Sequence, residues 1–399
     1  MRKNRVLFVI LSLGMCFVLG EKTRQGIEIQ AKAAEIVSTA ETDLGLKTNA
    51  KAAYLMDFHT KTCLYAKEAE KRLPIASMCK IMTLLLAFES IESGDLSLDE
   101  EIMVSERASS MGGSQVFLEA HAKYPVTELL KSIVVCSAND SCVAMAERIA
   151  GSEELFVEKM NARAASLGAN NTLFANCTGL PKQPQYSCAK DVALMLKALL
   201  NHEKYYEYGN VWMDKFQHPE GRYTEISNTN KLVRFYDGCD GGKTGFTNEA
   251  GFCLAATAKR DNTRVISVVI GEETSATRFE DVKCMFNYAF ANYVTKPLVR
   301  KGEALDCEAT VFQGKQKKVL AMPARDVWTF EKRGEKTKAN VETRFDKLKA
   351  PIKKGEKIGE LYVYTNGVQT DKVDLLAFEN VGKATVWDNL QEIAQDWNG

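Results

Sequence analysis

The chain has 399 residues, of which 45% are hydrophobic and 26% are charged. This composition is typical of a globular protein long enough for two domains, and it excludes a mainly disordered chain. Lys and Arg together number 52, as do Asp and Glu, so the formal net charge is zero. Without a basic excess we expect no nucleic acid partner, and a partner must be inferred from a specific site.

Residues 1–33 predict an export signal. The chain begins with a basic cluster, Arg2, Lys3 and Arg5. An uncharged and mostly apolar run follows over 6–20, which is short for a membrane span of about 20 residues. Ala31 and Ala33 fit the small-residue cleavage preference, but they lie some way from the apolar run, so the cut position stays open. An uncleaved membrane anchor is the alternative. Residues 34–51 predict a polar linker.

Residues 52–296 predict an α+β domain. Strands are expected over 52–57 and 63–67 near its start, and over 251–258 and 263–271 near its end. Between them, apolar residues recur mainly at helical spacing. This order favours an antiparallel sheet in which both ends of the domain meet, with a helical cluster beside it. The predicted helices after the first are 126–136, 143–149, 153–167, 192–200 and 277–294.

A second domain is predicted over 297–380. The helical pattern stops at Pro297, which cannot simply continue a helix, and we place the domain boundary just before it. Short runs of alternating residues follow, with Asn366-Gly367 as a strong hairpin signal. We therefore expect a small all-β domain, for which a stalk or docking role is favoured.

Residues 381–399 predict a C-terminal amphipathic helix. Its apolar residues recur at helical spacing on one stripe. They are Trp387, Leu390, Ile393 and Trp397. A peripheral helix on a membrane surface is one interpretation. The polar face carries acidic residues and no Lys or Arg, so packing on the β domain or on another chain is at least as well supported.

The sequence has 11 cysteines, ten of them after the leader. An even number in an exported chain permits disulfides. However, they are scattered singly, and Cys79 and Cys136 are equally compatible with small buried hydrophobic residues, so no pairing is assigned. No C-x-x-C or Cys/His spacing indicates zinc, and we expect no metal.

Ser77 and Lys80 are the predicted catalytic nucleophile and its neighbouring amine. An apolar run without Gly or Pro follows over 81–88, so both residues should lie in the first turn of a buried helix. Positions three apart share a helix face, which lets the amine approach the hydroxyl, and the helix N-terminus can stabilise an oxyanion. This is the arrangement of an activated nucleophile. The same spacing recurs at Ser187 and Lys190, so the pair alone is a weak signal.

Two further motifs identify Ser77 and Lys80 as the catalytic pair. Ser137-Ala138-Asn139 follows the predicted helix 126–136, and Lys243-Thr244-Gly245 precedes the predicted strand 251–258. Alone, the first is explained by a helix cap and the second by a turn. Together with S-x-x-K they form the motif set of penicillin-binding proteins and class A β-lactamases, with Ala138 in place of the middle aspartate. The order of the motifs selects Ser77 over Ser187, which we interpret as structural.

Over about 52–290 the chain resembles the serine D-alanyl-D-alanine carboxypeptidases, or low-molecular-weight penicillin-binding proteins. The second domain resembles that of the family less specifically. The resemblance implies the penicillin-binding and β-lactamase-like fold, without a cofactor. It also implies removal of the terminal D-alanine from peptidoglycan stem peptides, inhibition by β-lactams, and export to the outer face of a bacterial membrane or to the cell wall. The family-like segments are 111–114, 137–140, 228–232 and 240–245.

The same resemblance implies the catalytic roles. Ser77 would attack the carbonyl between two D-alanines and form an acyl-enzyme that water resolves. Lys80 would be the general base, which requires a neutral amine, and a nearby cation such as Lys243 lowers a lysine pKa in that direction. Ser137 would pass the proton to the leaving nitrogen, and Asn139 would orient Lys80 and the substrate amide.

The resemblance also implies how the substrate is held. Lys243 and Thr244 would bind its carboxylate, with help from Arg278. The backbone N–H groups of Ser77 and Phe246 would form the oxyanion hole. The predicted substrate-binding residues are thus Lys243, Thr244, Gly245, Phe246 and Arg278.

Three alternatives compete with this interpretation. A class A β-lactamase uses a glutamate for deacylation, but no E-x-x-L-N segment lies between Ser137 and Lys243. A Ser/His/Asp hydrolase is less favoured, because none of the four histidines sits in a recognisable motif. From another class, a peptidoglycan-binding scaffold without turnover is opposed by the intact Ser77, Lys80 and Lys243.

Overall fold

The structure is a computed structural model, which describes residues 45–335 and 338–388. Its first-domain strands are β1 Ala52–Asp57, β2 Cys63–Lys67, β3 Glu101–Met103, β4 Lys123–Pro125, β5 Met213–Gln217, β6 Tyr223–Ser227, β7 Cys239–Thr247, β8 Gly251–Arg260 and β9 Thr263–Glu272. Its helices are α1 Lys80–Ser93, α2 Glu106–Ser109, α3 Val126–Val135, α4 Asn139–Ala150, α5 Glu153–Ser166, α6 Ala189–Leu199, α7 Tyr205–Gly209, α8 Leu232–Phe235 and α9 Ser275–Asn292. Short 3-10 turns span Ala76–Cys79 and Pro219–Gly221. The later strands are β10 Tyr293–Val299, β11 Glu308–Phe312, β12 Lys318–Pro323, β13 Val327–Lys332, β14 Ala339–Phe345, β15 Leu348–Lys349, β16 Lys357–Thr365 and β17 Val368–Ala377.

The first domain is built on a five-stranded antiparallel sheet in the order β2-β1-β9-β8-β7. The two ends of the domain meet where β1 pairs with β9, as the sequence predicts. Successive residues of β1 point to opposite faces, so Leu55 packs in the core beneath α9 while Tyr54 and Met56 pack in the larger helical core. Both faces of the central strands are therefore buried.

Helix α1 runs through the middle of the helical core. All of its residues from Lys80 to Phe88 are buried, and it ends at Gly94, whose φ of 82° is the left-handed conformation that favours glycine. A helix that is buried on every side has little freedom to shift. Side chains at its N-terminal end are therefore held in a rigid frame.

Several elements have the predicted bounds, whereas the helices predicted over 143–149 and 192–200 begin earlier, at Asn139 and Ala189. Two further differences have clear physical reasons. Strands β1 and β2 begin and end as predicted. The helix predicted over 277–294 ends at Asn292, because Tyr293 and Val294 begin β10 and pair with β13. Strand β7 was not predicted, since its three glycines lower the strand propensity. They are required there, because a side chain on Gly242 would lie 2.3 Å from the carbonyl oxygen of Ala255.

The second domain is all-β, so the predicted fold class is confirmed. Six strands form a sheet in the order β14-β16-β17-β12-β11-β15, and β10 pairs separately with β13. The predicted turn Asn366-Gly367 joins β16 to β17, with φ of 51° and 81°. The predicted domain boundary at Pro297 lies within β10.

Two segments with predicted membrane-related roles, the export signal and the C-terminal helix, lie at the ends of the chain. Among residues 45–335 and 338–388, no helix has the length and apolarity needed to cross a bilayer. Residues 386–388 are helical. The predicted start of the C-terminal helix at 381 is wrong, because residues 381–385 are not helical and Val381 and Lys383 form β-bridges with Ile352 and Gly314. Residues 389–399 and the whole of the predicted export signal lie outside the described residues.

A buried carboxylate links the β1–β2 turn to β10. Asp57 is fully buried, which raises its pKa, and its carboxylate accepts hydrogen bonds from the Thr60 backbone N–H, the Thr60 hydroxyl and the Thr295 hydroxyl. We expect Asp57→Ala to lower the free energy of unfolding by about 3 kcal/mol, since buried donors lose their acceptor. Urea denaturation checks this. Asp57→Asn keeps one acceptor oxygen and should lose less, and equal losses in the two variants would contradict the assignment.

Candidate active site

Ser77 lies in the 3-10 turn Ala76–Cys79, which leads directly into α1. The side chains of Met78 and Cys79 are fully buried and anchor this turn. Ala76 has a φ of 47°, a conformation that is rare outside glycine and concentrated at functional sites. The predicted position at the start of a buried helix is therefore confirmed, with a 3-10 turn in place of the first α-helical turn.

Lys80 is fully buried, and three oxygen atoms surround its amine. The Nζ atom lies 3.0 Å from Ser77 Oγ, 2.7 Å from Asn139 Oδ1 and 2.6 Å from the carbonyl oxygen of Thr178. Burial lowers its pKa, because the charged amine loses water without gaining a carboxylate partner. The amine is thus held next to the serine hydroxyl and shifted towards its neutral form.

The second motif lies at the entrance to α4. Asn139 begins this helix and is held from both sides, since its Nδ2 donates to the carbonyl oxygen of Gly112 and its backbone N–H donates to that of Ser114, each at 2.7 Å. Ser137 is buried with a φ of 67°. Its Oγ atom has no hydrogen-bond partner among the described residues. A buried hydroxyl without a partner is available for a substrate or a proton.

The third motif lies on β7, the edge strand of the main sheet. Lys243 and Thr244 are buried, and the Thr244 hydroxyl donates to Thr229 Oγ1 at 2.7 Å. Gly245 packs against the nucleophile turn, because a methyl group on it would lie 2.7 Å from the carbonyl oxygen of Ile75 and 3.2 Å from Ser77 N. Only glycine permits this approach, which brings β7 alongside Ser77.

Three buried basic side chains lie in this region without an acidic partner. None of the ion pairs in the described part of the chain includes Lys80, Lys243 or Arg278. Burial, followed by the charge of Lys80, lowers the pKa of Lys243 to about 7. Burial lowers the pKa of Arg278 to about 10. Buried basic groups without an acidic partner favour the binding of an anion, because its charge stabilises their protonated forms.

Arg278 and Phe246 flank β7 in different ways. The Arg278 Nη1 atom donates to the carbonyl oxygens of Gly245 and Cys253, both at 3.4 Å, and its Nε has no partner among the described residues. The ring of Phe246 is half exposed and stacks on Phe252 with 4.3 Å between centroids. Arg278 thus contacts the backbone of the motif strand, whereas Phe246 presents its ring to solvent.

Three residues without a predicted role contact this site. Thr229 belongs to a segment noted only as family-like, yet its hydroxyl accepts a hydrogen bond from Thr244. The carbonyl groups of Gly112 and Thr178 bind Asn139 and Lys80. A backbone carbonyl leaves no signal in its residue type, so only the fold could identify these two.

The second S-x-x-K pair lies elsewhere and has its own partners. The Ser187 hydroxyl is 2.8 Å from Thr172 Oγ1, and Lys190 donates to Glu70 at 2.6 Å. Neither side chain bonds to the first pair. The two residues therefore serve as natural controls for Ser77 and Lys80.

The cysteines form no disulfide in the structure. All ten cysteines that it describes are free thiols. Burial raises the pKa of Cys79 and raises that of Cys136 to about 11, which keeps both protonated. Over residues 45–335 and 338–388, no group of three or more His, Cys, Asp or Glu side chains is arranged to hold a metal ion.

The sheet, the buried helix that begins at the Ser77–Lys80 pair, and the lysine on the edge strand together define a penicillin-binding type of serine hydrolase. Comparisons with known proteins agree with this class. Residues 36–274 match the model of the D-alanyl-D-alanine carboxypeptidase family, and residues 293–393 match that of the C-terminal domain of penicillin-binding protein 5. The D-alanyl-D-alanine carboxypeptidase DacF of Bacillus subtilis is 39% identical over 355 residues, covering 88% of this chain and 91% of the relative.

Solved structures give the same result. Penicillin binding protein 5 from Haemophilus influenzae matches with a TM-score of 0.70 at 28% identity, over 84% of this chain and 98% of that chain. Penicillin-binding protein D2 from Listeria monocytogenes, in its ampicillin-bound form, matches with a TM-score of 0.56 at 29% identity, over 61% of this chain and 99% of that chain. The chain belongs to the D-alanyl-D-alanine carboxypeptidase family. The predicted family and enzyme class are therefore confirmed, and the scaffold and β-lactamase alternatives are not favoured.

Proposed function

We propose that this protein removes the terminal D-alanine from peptidoglycan stem peptides ending in D-Ala-D-Ala, through an acyl-enzyme on Ser77. The observation that carries the proposal is the fully buried Lys80 amine, 3.0 Å from Ser77 Oγ. A serine hydroxyl is a weak nucleophile until an adjacent base accepts its proton. Lys80 is the group placed to do so.

The contacts of the Lys80 amine can also be satisfied by its neutral form. A neutral amine has two N–H donors and one lone pair. The Asn139 side-chain oxygen and the Thr178 carbonyl oxygen can only accept, so they take the two donors. The lone pair then faces the Ser77 hydroxyl, whose rotatable hydrogen can point at it. This arrangement prepares proton transfer from Oγ to Nζ.

The charge of the site fits a substrate that ends in a carboxylate. Lys243 and Arg278 are buried basic side chains without an acidic partner, and Thr244 adds a hydroxyl on the same strand as Lys243. A peptide ending in D-alanine carries a carboxylate one residue away from the scissile carbonyl. Binding that carboxylate beside β7 would place the carbonyl near Ser77, because Gly245 packs directly against the nucleophile turn.

The reaction then proceeds in two halves. Ser77 Oγ attacks the carbonyl carbon as its proton passes to Lys80, and the backbone N–H groups of Ser77 and Phe246 stabilise the oxyanion. The C–N bond breaks when the leaving nitrogen of D-alanine receives a proton through Ser137, whose hydroxyl is buried and otherwise unpartnered. Asn139 keeps the lysine amine oriented. Water, deprotonated by Lys80, then attacks the acyl ester and releases the shortened peptide and free Ser77.

The substrate determines where the protein must act. Peptidoglycan lies outside the bacterial membrane, so we assign the protein to that side, with residues 1–33 as its export signal. A β-lactam presents a carboxylate and a reactive carbonyl in one small molecule, and it should acylate Ser77 as a substrate does. The ampicillin-bound state of the Listeria relative supports this part of the proposal. Peripheral membrane contact through 381–399 stays a prediction.

Two measurements on the leaderless protein test the proposed function. The first is release of free D-alanine from a synthetic pentapeptide ending in D-Ala-D-Ala, with the same peptide ending in D-Ala-L-Ala as the control. The second is intact-protein mass after incubation with benzylpenicillin, followed by peptide mapping. We expect turnover of the D-Ala-D-Ala peptide and one penicilloyl group on Ser77. A single adduct without D-alanine release would point to a scaffold, and no adduct on the folded protein would overturn the site.

The pH profile should reveal the coupling between the two lysines. The charge of Lys80 lowers the pKa of Lys243, and the coupling between two charged groups is reciprocal, so removing Lys243 in Lys243→Met should raise the pKa of Lys80. Acylation needs neutral Lys80. The rising limb of the pH–rate profile of Lys243→Met should therefore lie about one pH unit higher than that of wild type. The second-order rate constant of penicillin acylation, measured from pH 5 to 10, checks this. Lys259→Met, on an exposed lysine of β8, should leave the limb in place, and an unmoved limb in Lys243→Met would contradict the coupling.

A further inference from the structure

A short segment outside the three motifs makes three consecutive contacts with the nucleophile helix. We call residues 176–179 the strap. The carbonyl oxygens of its first three residues each accept one hydrogen bond from the nucleophile turn or from α1. The donors are Cys79 Sγ to Asn176 O at 3.3 Å, Thr83 Oγ1 to Cys177 O at 2.7 Å, and Lys80 Nζ to Thr178 O at 2.6 Å. The strap therefore follows the helix at the level of the lysine amine.

The strap is held in this shape by the side chain of Asn176. Its Oδ1 accepts from the backbone N–H groups of Thr178 and Gly179 at 3.2 and 2.7 Å, and its Nδ2 donates to Leu180 O at 2.8 Å. On the outer side, Glu153 accepts from the backbone N–H of Cys177 at 3.3 Å. These bonds fix the direction in which the strap carbonyls point.

The end of the strap packs directly against the nucleophile turn. Gly179 has a φ of 83°, and a methyl group on it would lie 2.0 Å from the carbonyl oxygen of Ala76 and 2.9 Å from Ser77 N. Both the conformation and the space require glycine. The strap is thus in contact with the backbone of the nucleophile as well as with the base.

We propose that the strap is a positioning element for catalysis, with Thr83 as the residue that locks it to α1. Thr83 is fully buried one turn after Lys80, and both side chains face the strap. Its hydroxyl fixes the Cys177 carbonyl, and the next carbonyl along the chain, that of Thr178, holds the lysine amine. Thr83 touches no reacting atom, and it acts by keeping the Lys80 lone pair directed at Ser77 Oγ. This inference rests on the proposed function, in which Lys80 is the general base.

A matched pair of substitutions tests the strap. Thr83→Val removes the hydroxyl while keeping the shape of the side chain, and Thr83→Ser keeps the hydroxyl while removing the methyl group. The measurement is acylation by a fluorescent penicillin over a range of concentrations, which separates the rate at saturation from the half-saturating concentration. Rates are taken only for the fraction of Ser77 that is finally acylated, so loss of folded protein does not enter them.

We expect Thr83→Val to lower the rate at saturation about tenfold, because small misplacement of a catalytic group is costly, with the half-saturating concentration within about twofold of wild type. Thr83→Ser should match wild type in both. Equal loss in the two variants, an unchanged rate in Thr83→Val, or an equal change in rate and half-saturation would overturn the proposal.

A second variant covers failure of the first to fold. If Thr83→Val yields no acylable protein, Asn176→Ala is measured in the same way and is expected to show the same separation of rate from half-saturation. A wild-type rate in Asn176→Ala would then overturn the proposal. If the wild-type protein is acylated on Ser77 and the variants are acylated at the wild-type rate, only the proposed role of the strap is wrong. If the wild-type protein forms no adduct, the proposed function is wrong.

Discussion

Ser77→Ala is expected to abolish both the penicilloyl adduct and the release of D-alanine, by at least about 10⁴-fold in turnover. The loss follows because the hydroxyl is the only atom of this residue that can form the acyl ester. The side chain is half-buried in the 3-10 turn, and alanine can occupy the same space, so the fold should persist. Intact-protein mass and a D-alanine release assay measure the two losses.

Ser187→Ala provides the matched control. It removes the serine of the second S-x-x-K pair, which bonds to Thr172 at 2.8 Å and does not contact Lys80. This variant should keep the adduct and the activity of wild type per folded molecule. A penicilloyl adduct that persists in Ser77→Ala would contradict Ser77 as the nucleophile. So would an adduct that disappears in Ser187→Ala while the protein remains folded.

Lys80→Met is expected to lower the acylation rate by about 10³-fold or more while leaving Ser77 in place. Methionine has similar length and suits the buried position, but it has no basic lone pair. General base catalysis typically contributes 10²–10⁴-fold, and the substitution removes it. Rapid-mixing acylation by penicillin measures the effect, with circular dichroism to show that the fold is kept.

The result should differ in kind from that of Ser77→Ala. A slow adduct still forms in Lys80→Met after long incubation, because the nucleophile remains, whereas none forms in Ser77→Ala. Lys190→Met, which removes the partly buried lysine paired with Glu70, should acylate at the wild-type rate. A wild-type acylation rate in Lys80→Met would exclude Lys80 as the general base.

Local sequence patterns specify several secondary-structure elements and the identity of the motifs. Strands β1 and β2 appear with their predicted bounds because alternation and a polar turn are local signals. The turn Asn366-Gly367 is likewise encoded by two residues that tolerate positive φ. The order of the three motifs also identified the family, since their joint occurrence is far more specific than any one spacing.

The assembly of the motifs into one site depends on contacts between distant parts of the chain. Lys80 meets Asn139 and Thr178, which are 59 and 98 residues away along the chain, and Gly245 packs against the turn that holds Ser77. Strand β7 escaped prediction because its glycines serve close packing with distant residues. The lowered lysine pKa values and the contacts of the strap both arise because segments far apart in the chain pack together. A local sequence pattern does not show which distant segments will be in contact, so it predicts neither the burial of a side chain nor its hydrogen-bond partners.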